Sequence, residues 1–234
     1  GFLTELREVT SRYGVLLIFD EVVTGFRCAP GGAQAYFGVR PDLTTMAKIL
    51  SGGLPGGCLA GREDIMKFLA FQGEPEWDLF RKMPHQGTFN ANPLSAAAGI
   101  AMLSKIADGE EIEKANRIAD SLRSRLNEVA ASHRADWVVY GDFSRIAFLA
   151  GCDSPVEDLQ AIQEGAYDHR RLRSVDPNLN GPFQQAMLLE GIDFTGWMGL
   201  TASTHTEEDV DRTAQAFDRA LGRLKAEGLV RTAG

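Results

Sequence analysis

Residues 15–19 read Val-Leu-Leu-Ile-Phe, an apolar run that ends at two acids, Asp20 and Glu21. Such a run predicts a strand buried in a parallel sheet, because strands of that kind are covered on both faces. Ligands of open α/β sheets bind outside the carboxyl ends of the strands, so Asp20 is where this strand would deliver a carboxylate. A second strand-like run, residues 43–47, ends at Lys48, and Gly52-Gly53-Leu54-Pro55-Gly56-Gly57 follows closely. Glycines there let the backbone pass close to a bulky group. An acid and an amine at neighbouring strand ends, beside a glycine-rich turn, suit pyridoxal phosphate. The amine forms a Schiff base with the aldehyde, and the acid keeps the pyridine nitrogen protonated. Each signal alone has an ordinary reading: a solvated helix start or ion pair for Asp20-Glu21, a surface position for Lys48, plain turns for the glycines. Their weight comes from agreeing on one chemistry.

The surrounding motifs carry a family resemblance. They are Phe19-Asp20-Glu21-Val22 with Thr24-Gly25-Phe26-Arg27, Gly31-Gly32-Ala33-Gln34, Pro41-Asp42-Leu43-Thr44-Thr45, Lys48 and Gly52-Gly53-Leu54-Pro55. His85-Gln86-Gly87-Thr88-Phe89-Asn90-Ala91-Asn92-Pro93, Ala96-Ala97-Ala98-Gly99 and Ser203-Thr204-His205-Thr206-Glu207-Glu208-Asp209-Val210 follow in order. Together they resemble the class III pyridoxal-phosphate-dependent aminotransferases, and within that class glutamate-1-semialdehyde 2,1-aminomutase and its relatives.

The resemblance implies an α/β chain of the fold-type I transferases. Residues 1–109 would be the C-terminal portion of a mostly parallel large domain, and 110–234 a smaller α+β C-terminal domain. It implies pyridoxal 5'-phosphate as cofactor, small amino and keto compounds as substrates, and a homodimer with a shared active site. Lys48 would hold the cofactor and shuttle protons, Asp20 would face the pyridine nitrogen, and Val22 would pack on the ring. Thr88 would bind the phosphate from the neighbouring subunit. Residues alone leave Val22 also readable as core, favour a turn cap for Thr88, and leave Arg27 as either a carboxylate clamp or a salt bridge. Glu21 reads as structural, and Gln86, Gly87 and Asn92 as supports of their turn. Phe89-Asn90-Ala91 and Gly196-Trp197-Met198-Gly199 depart from the aminomutase pattern, which favours the broader aminotransferase reading. Members of the family are longer, so the chain reads as their C-terminal part. The alternatives are intramolecular amino transfer, as in the aminomutase, and a truncated or degenerate chain that folds or assembles without catalysing.

A net charge of −8, without a Lys/Arg cluster, argues against a nucleic-acid partner. No apolar run approaches a membrane span, and no signal-peptide pattern is seen. Cys28, Cys58 and Cys152 are scattered, as are the four histidines, with no metal-ligand spacing; this suits a reducing cytoplasm.

Along the chain, the spacing predicts a helix over 1–13 stopped by Gly14, strands at 15–19, 43–47 and 58–61, and a loop with a short helix over 24–40. A helix over 62–71, a loop over 72–87 and a helix over 93–107 capped by Asn92 with Pro93 follow. Ile112, Ala115, Ile118, Ala119, Leu122, Leu126, Val129 and Ala130 form one helical stripe. Strands at 137–140 and 146–150 should pair antiparallel. Residues 157–172 read as helix, 174–183 as loop, 184–189 as helix, and 192–194 and 200–203 as short strands. Thr206 and Asp209 open a last amphipathic helix.

Overall fold

The computed structural model describes residues 1–173 and 176–232. The chain divides into two compact units, 1–112 and 113–234.

The first unit begins with α1 (Phe2–Arg12), followed by β1 (Ile18–Asp20), α2 (Gly32–Tyr36), β2 (Leu43–Ala47) and β3 (Gly57–Gly61). β1 runs parallel to β2, with Ile18, Phe19 and Asp20 opposite Leu43, Thr44 and Thr45. β3 pairs antiparallel with the other edge of β2. Only three residues of the 15–19 run and its end join the sheet, and only one of its faces is covered. Leu17 and Phe19 pack with Val39 against Leu3 and Leu6 of α1, whereas Val15, Leu16 and Ile18 are about half exposed. The expectation of a strand buried on both faces therefore holds for one face within this chain.

One carboxylate ties these elements together. Asp42 accepts from the Leu17 amide and from Arg7 of α1 at 2.8 Å each, through the same oxygen. Its other oxygen accepts from Arg62, just past β3, at 2.7 Å. The Asp42 and Leu43 amides return to the Leu17 carbonyl at 2.8 and 3.2 Å. Charge-assisted bonds of this kind are among the stronger ones in proteins. The Leu17 amide first, then Arg62 and Arg7, hold the Asp42 carboxyl far below the usual carboxylate range.

The helix expected over 62–71 is shorter: α3 (Glu63–Met66) tightens into a 3-10 turn at Lys67–Leu69. The predicted loop over 72–87 contains a wide helical turn at Trp77–Arg81. Trp77 stacks on Phe68 at 5.2 Å and donates to the Ala70 carbonyl, and Asp78 accepts the Gln72 and Gly73 amides. These contacts lie five or more residues apart, beyond the reach of a periodicity argument. α4 (Pro93–Ile106) starts as expected, with Asn92 accepting from the amides of Leu94 and Ser95.

The second unit contains α5 from residue 113 onward (the helix is Glu110–Ser132), β4 (Trp137–Tyr140), β5 (Arg145–Ala150), α6 (Pro155–Gln163), α7 (His169–Leu172), α8 (Pro177–Leu189), β6 (Met198–Leu200) and α9 (Glu207–Ala226). Its sheet is antiparallel in the order β4-β5-β6. Alternation divides the strands' side chains between two clusters. Val138 and Leu149 face Leu159 and Ile162 of α6, while Trp137, Val139, Ile146 and Phe148 join the large cluster with α5, α8 and α9. At its centre Phe183 lies 5.2 Å from Trp137 and 4.9 Å from Phe148, edge to face in both cases, the arrangement that ring quadrupoles favour.

Several boundaries differ from the sequence reading. The helix over 157–172 is interrupted at Gly165, whose φ of 71° no helix accommodates, and Asp168 caps a new turn. The loop over 174–183 is largely helix: Asp176 caps α8 and Pro177 takes its first position, so proline here starts a helix. Residues 174 and 175 lie outside the described residues. No strand forms at 192–194. There the Ile192 amide donates to Met187 and the Phe194 carbonyl accepts from Gln184 and Gly196, so these groups do not serve a ladder. The last strand falls at 198–200 instead, where Gly199 leaves room for the Phe194 ring. Thr206 and Asp209 form the reciprocal capping box of α9.

Asp42→Asn is expected to lower stability by about 1–3 kcal/mol, because the buried Leu17 amide and the two arginines lose an ionised acceptor. A carboxyl held below its unfolded value of about 3.9 contributes fully above that pH and loses the contribution as pH falls. Denaturant melts should therefore show a flatter loss of stability below about pH 4 in the variant. Equal unfolding midpoints at neutral pH would contradict the role given to Asp42.

Candidate active site

Asp20 is the last residue of β1 and stands opposite Thr45. Its Oδ1 accepts from the Val22 amide at 3.0 Å and from the Thr45 hydroxyl at 3.3 Å. Among the described residues its Oδ2 has no partner, and the side chain is exposed. Lys48 follows β2 directly, three residues beyond Thr45, so the parallel register brings Asp20 at the end of β1 and Lys48 just past the end of β2 to the same edge of the sheet. Lys48 is exposed and, among the described residues, makes no hydrogen bond or ion pair. Its φ is 53°, a left-handed conformation that costs a non-glycine residue about 1–2 kcal/mol.

The turn Lys48–Ser51 is held by α4 through two glycines. A Cβ on Gly52 would lie 2.6 Å from the Ala98 carbonyl oxygen, and one on Gly99 would lie 2.8 Å from that of Leu50. Helix and turn thus approach at backbone distance from both sides. The same turn and loop 85–92 border a cleft of about 640 Å³. Leu50, Ser51, Gly56 and Gly57 line one part, and His85, Phe89, Asn90 and Asn92 another. Lys48, Asp20 and Thr88 do not line it.

Val22 lies in a turn, not in extended chain, so the alternation that would aim it like Asp20 does not apply. It is half-buried, and its amide orients Asp20. Thr88 is exposed at the start of the turn in which Asn90 donates to the Gly87 carbonyl at 3.0 Å. No hydrogen bond among the described residues joins it to Asp20 or Lys48. Arg27 donates to the Val23 carbonyl at 3.0 Å, and burial pulls its guanidinium below the ordinary value against the opposing effect of Cys28. His205 accepts the Ala202 amide through Nδ1, a structural use of the ring. His133 bonds Asp218 at 2.7 Å. Burial, followed by Asp158, pushes the Cys152 thiol up to about 12, which keeps it unreactive.

Sequence reasoning passed over Asp42, Thr45 and the pair Gly52/Gly99 as contributors to this geometry. Thr45 becomes visible only once the strand register is known. Asp42 has its arginines 35 and 20 residues away, which no local pattern announces.

Residues 1–139 match the family Aminotransferase class-III. The chain is 37% identical over 221 residues to glutamate-1-semialdehyde 2,1-aminomutase of Methanosarcina acetivorans, covering 93% of this chain and 47% of that protein. It is 36% identical over 229 residues to glutamate-1-semialdehyde 2,1-aminomutase 1 of Staphylococcus epidermidis, covering 96% and 48%. Among solved structures, an omega-transaminase from Sphaerobacter thermophilus matches with a TM-score of 0.77 at 30% identity, over 96% of this chain and 48% of that one. A β-phenylalanine aminotransferase from Variovorax paradoxus matches with a TM-score of 0.77 at 31% identity, over 100% and 50%. A transaminase with PLP bound gives 0.73 at 28%, over 97% and 48%. The fold is therefore that of the pyridoxal-phosphate transferases, as the motifs implied. The chain belongs to the class-III aminotransferase family, and it spans about half the length of the curated relatives it matches.

Gly52→Ala is expected to cost about 1–3 kcal/mol, since it adds a methyl against the Ala98 carbonyl at a φ of 59°. An unchanged unfolding midpoint would show that the turn is not held in this way.

Proposed function

We propose that this chain carries the catalytic lysine of a pyridoxal-phosphate-dependent aminotransferase that moves an amino group between an amino compound and a carbonyl. The observation that carries the reading is the parallel register that sets Asp20 at the end of β1 and Lys48 directly after the end of β2. The residues present fit the cofactor. Among the described residues one oxygen of the Asp20 carboxylate is unpartnered, which suits a protonated ring nitrogen, and the Lys48 amine has no partner, which suits an aldehyde. When bound, pyridoxal phosphate supplies an electron sink for the carbon that loses its proton.

The chain's own residues do the rest. Lys48 would hold the cofactor and, as a free amine, would take a proton from the substrate carbon and return it at the acceptor carbon. Asp20 keeps the ring nitrogen charged. Val22 would pack on the ring, and Thr88 would donate its hydroxyl to the phosphate of the neighbouring subunit's site. That exposed Thr88 has, among the described residues, no hydrogen bond to Asp20 or Lys48 supports a homodimer with shared sites. The first unit is then the C-terminal portion of the cofactor-binding large domain, and the second the small C-terminal domain. Among the described residues no helix is long and apolar enough to cross a membrane. Three free cysteines support a cytoplasmic setting.

Intramolecular amino transfer is the second reading, supported by the 36–37% identity to the two aminomutases. The solved transaminases at 30–31% identity support the intermolecular one. The two separate by whether a keto intermediate leaves before the amine returns.

In the intact protein, Lys48→Ala is expected to abolish covalent attachment of pyridoxal phosphate, read as loss of the visible absorption band, while the melting temperature changes little. A band that persists would remove Lys48 from its role. Sedimentation of the cofactor-loaded protein should give a dimer; a monomer carrying cofactor would contradict the shared site.

A further inference from the structure

Glu21, next to Asp20, is 2% exposed, yet among the described residues no cation pairs with it. Its four donors are all neutral. Oε2 accepts from the Ala33 amide at 2.7 Å and the Thr24 hydroxyl at 2.9 Å, and Oε1 accepts from the Gln34 amide at 2.9 Å and the Gln34 side chain at 3.3 Å. Two glycines shape the cradle. A Cβ on Gly32 would stand 2.4 Å from Oε2, and one on Gly25 would stand 2.6 Å from the Glu21 carbonyl oxygen. Only an acceptor-only group satisfies such a ring of donors; an amide would turn its NH₂ toward a backbone N–H. A buried carboxylate without a counter-ion is costly to keep, and an apolar contact would hold a loop at lower cost.

The backbone of Glu21 is held as firmly as its side chain. Its amide donates to the Thr45 carbonyl at 2.9 Å, and its carbonyl accepts the Gly25 amide at 2.9 Å, closing the turn 21–25. Gln34 extends the network to Thr44 of β2 at 3.3 Å. The two groups that orient Asp20, the Val22 amide and the Thr45 hydroxyl, flank this anchored backbone on either side. Asp20 and Glu21 thus divide the strand end: one carboxylate is exposed and the other is buried as a pin.

We infer that Glu21 is a positioning residue: by fixing the 21–25 turn and the strand end on Thr45, it sets the direction of the Asp20 carboxylate that meets the cofactor nitrogen. The inference rests on the function proposed above. Substitution of Glu21 should therefore disturb the electronic state of the bound cofactor as well as stability.

The test compares the intact protein with its Glu21→Gln and Gln34→Leu variants, each loaded with pyridoxal phosphate. The readouts are borohydride trapping on Lys48, the pH midpoint of the cofactor's visible band, kcat and KM for the amino donor, and melting. Trapping on Lys48 should persist in all three. Glu21→Gln should move the midpoint by about one unit, the size of a neighbouring carboxylate's effect. It should also lower kcat by about 10- to 100-fold with KM changed far less, as when a supporting contact to a site is lost. Gln34→Leu removes one donor of four and should give a smaller change in the same direction; it decides the matter alone if Glu21→Gln does not fold. Variants that melt earlier but keep midpoint and kcat would overturn the positioning role and leave the proposed function standing. Failure to trap cofactor on Lys48 in the unsubstituted protein would overturn the proposed function, and the role of Glu21 with it.

Discussion

Asp42 gathers hydrogen bonds from α1, from the entry of β1 and from the exit of β3, and the pairing of β1 with β2 depends on that one anion. Parallel strands have no turn to set their register, so something else must. Here the Leu17 amide and carbonyl are both engaged at Asp42 and Leu43, which leaves Asp20 opposite Thr45 and no other residue. A slip of one position would send Asp20 to the covered face of the sheet and Phe19 to the open one. The carboxylate and the amine share a strand-end edge because an electrostatic knot at the other end of the strands permits one alignment.

Lys48 adds a second constraint. Its left-handed backbone persists because the turn that follows is clamped by α4, where Gly52 and Gly99 let two backbones meet without intervening side chains. Backbone strain persists only where the surrounding structure over-determines it. The second unit obeys different physics. Its sheet is covered on both faces, and the large aromatic cluster around Phe183 and Trp137 gives it a core of its own.

For the candidate site, the placement of Asp20 and Lys48 was legible because one ends a strand and the other follows one. The apolar run before Asp20 and the one before Lys48 each announce an element and its terminus. Helix starts with strong local chemistry were equally readable: Asn92-Pro93 and Thr206 with Asp209 appear in the structure with the hydrogen bonds expected of them. Prolines misled where position and not identity decides. Pro177 after Asp176 is a helix start, although with Gly181 and Pro182 it resembles a loop. The strand at 192–194 was lost to tertiary demand, since α8 and Gln184 take the hydrogen-bonding groups a ladder would need. The contacts of Asp42, that of Thr45 with Asp20, and those of Glu21 with Ala33 and Gln34 join residues 12 to 35 positions apart, and a single sequence carries no signal of that pairing.

The most direct test of the account is a crystal structure of the intact protein after borohydride reduction in the presence of pyridoxal phosphate. The account expects the cofactor carbon bonded to Lys48 Nζ and the pyridine nitrogen within about 2.7–3.2 Å of the Asp20 carboxylate. Attachment to another lysine, or a ring nitrogen facing away from Asp20, would contradict it.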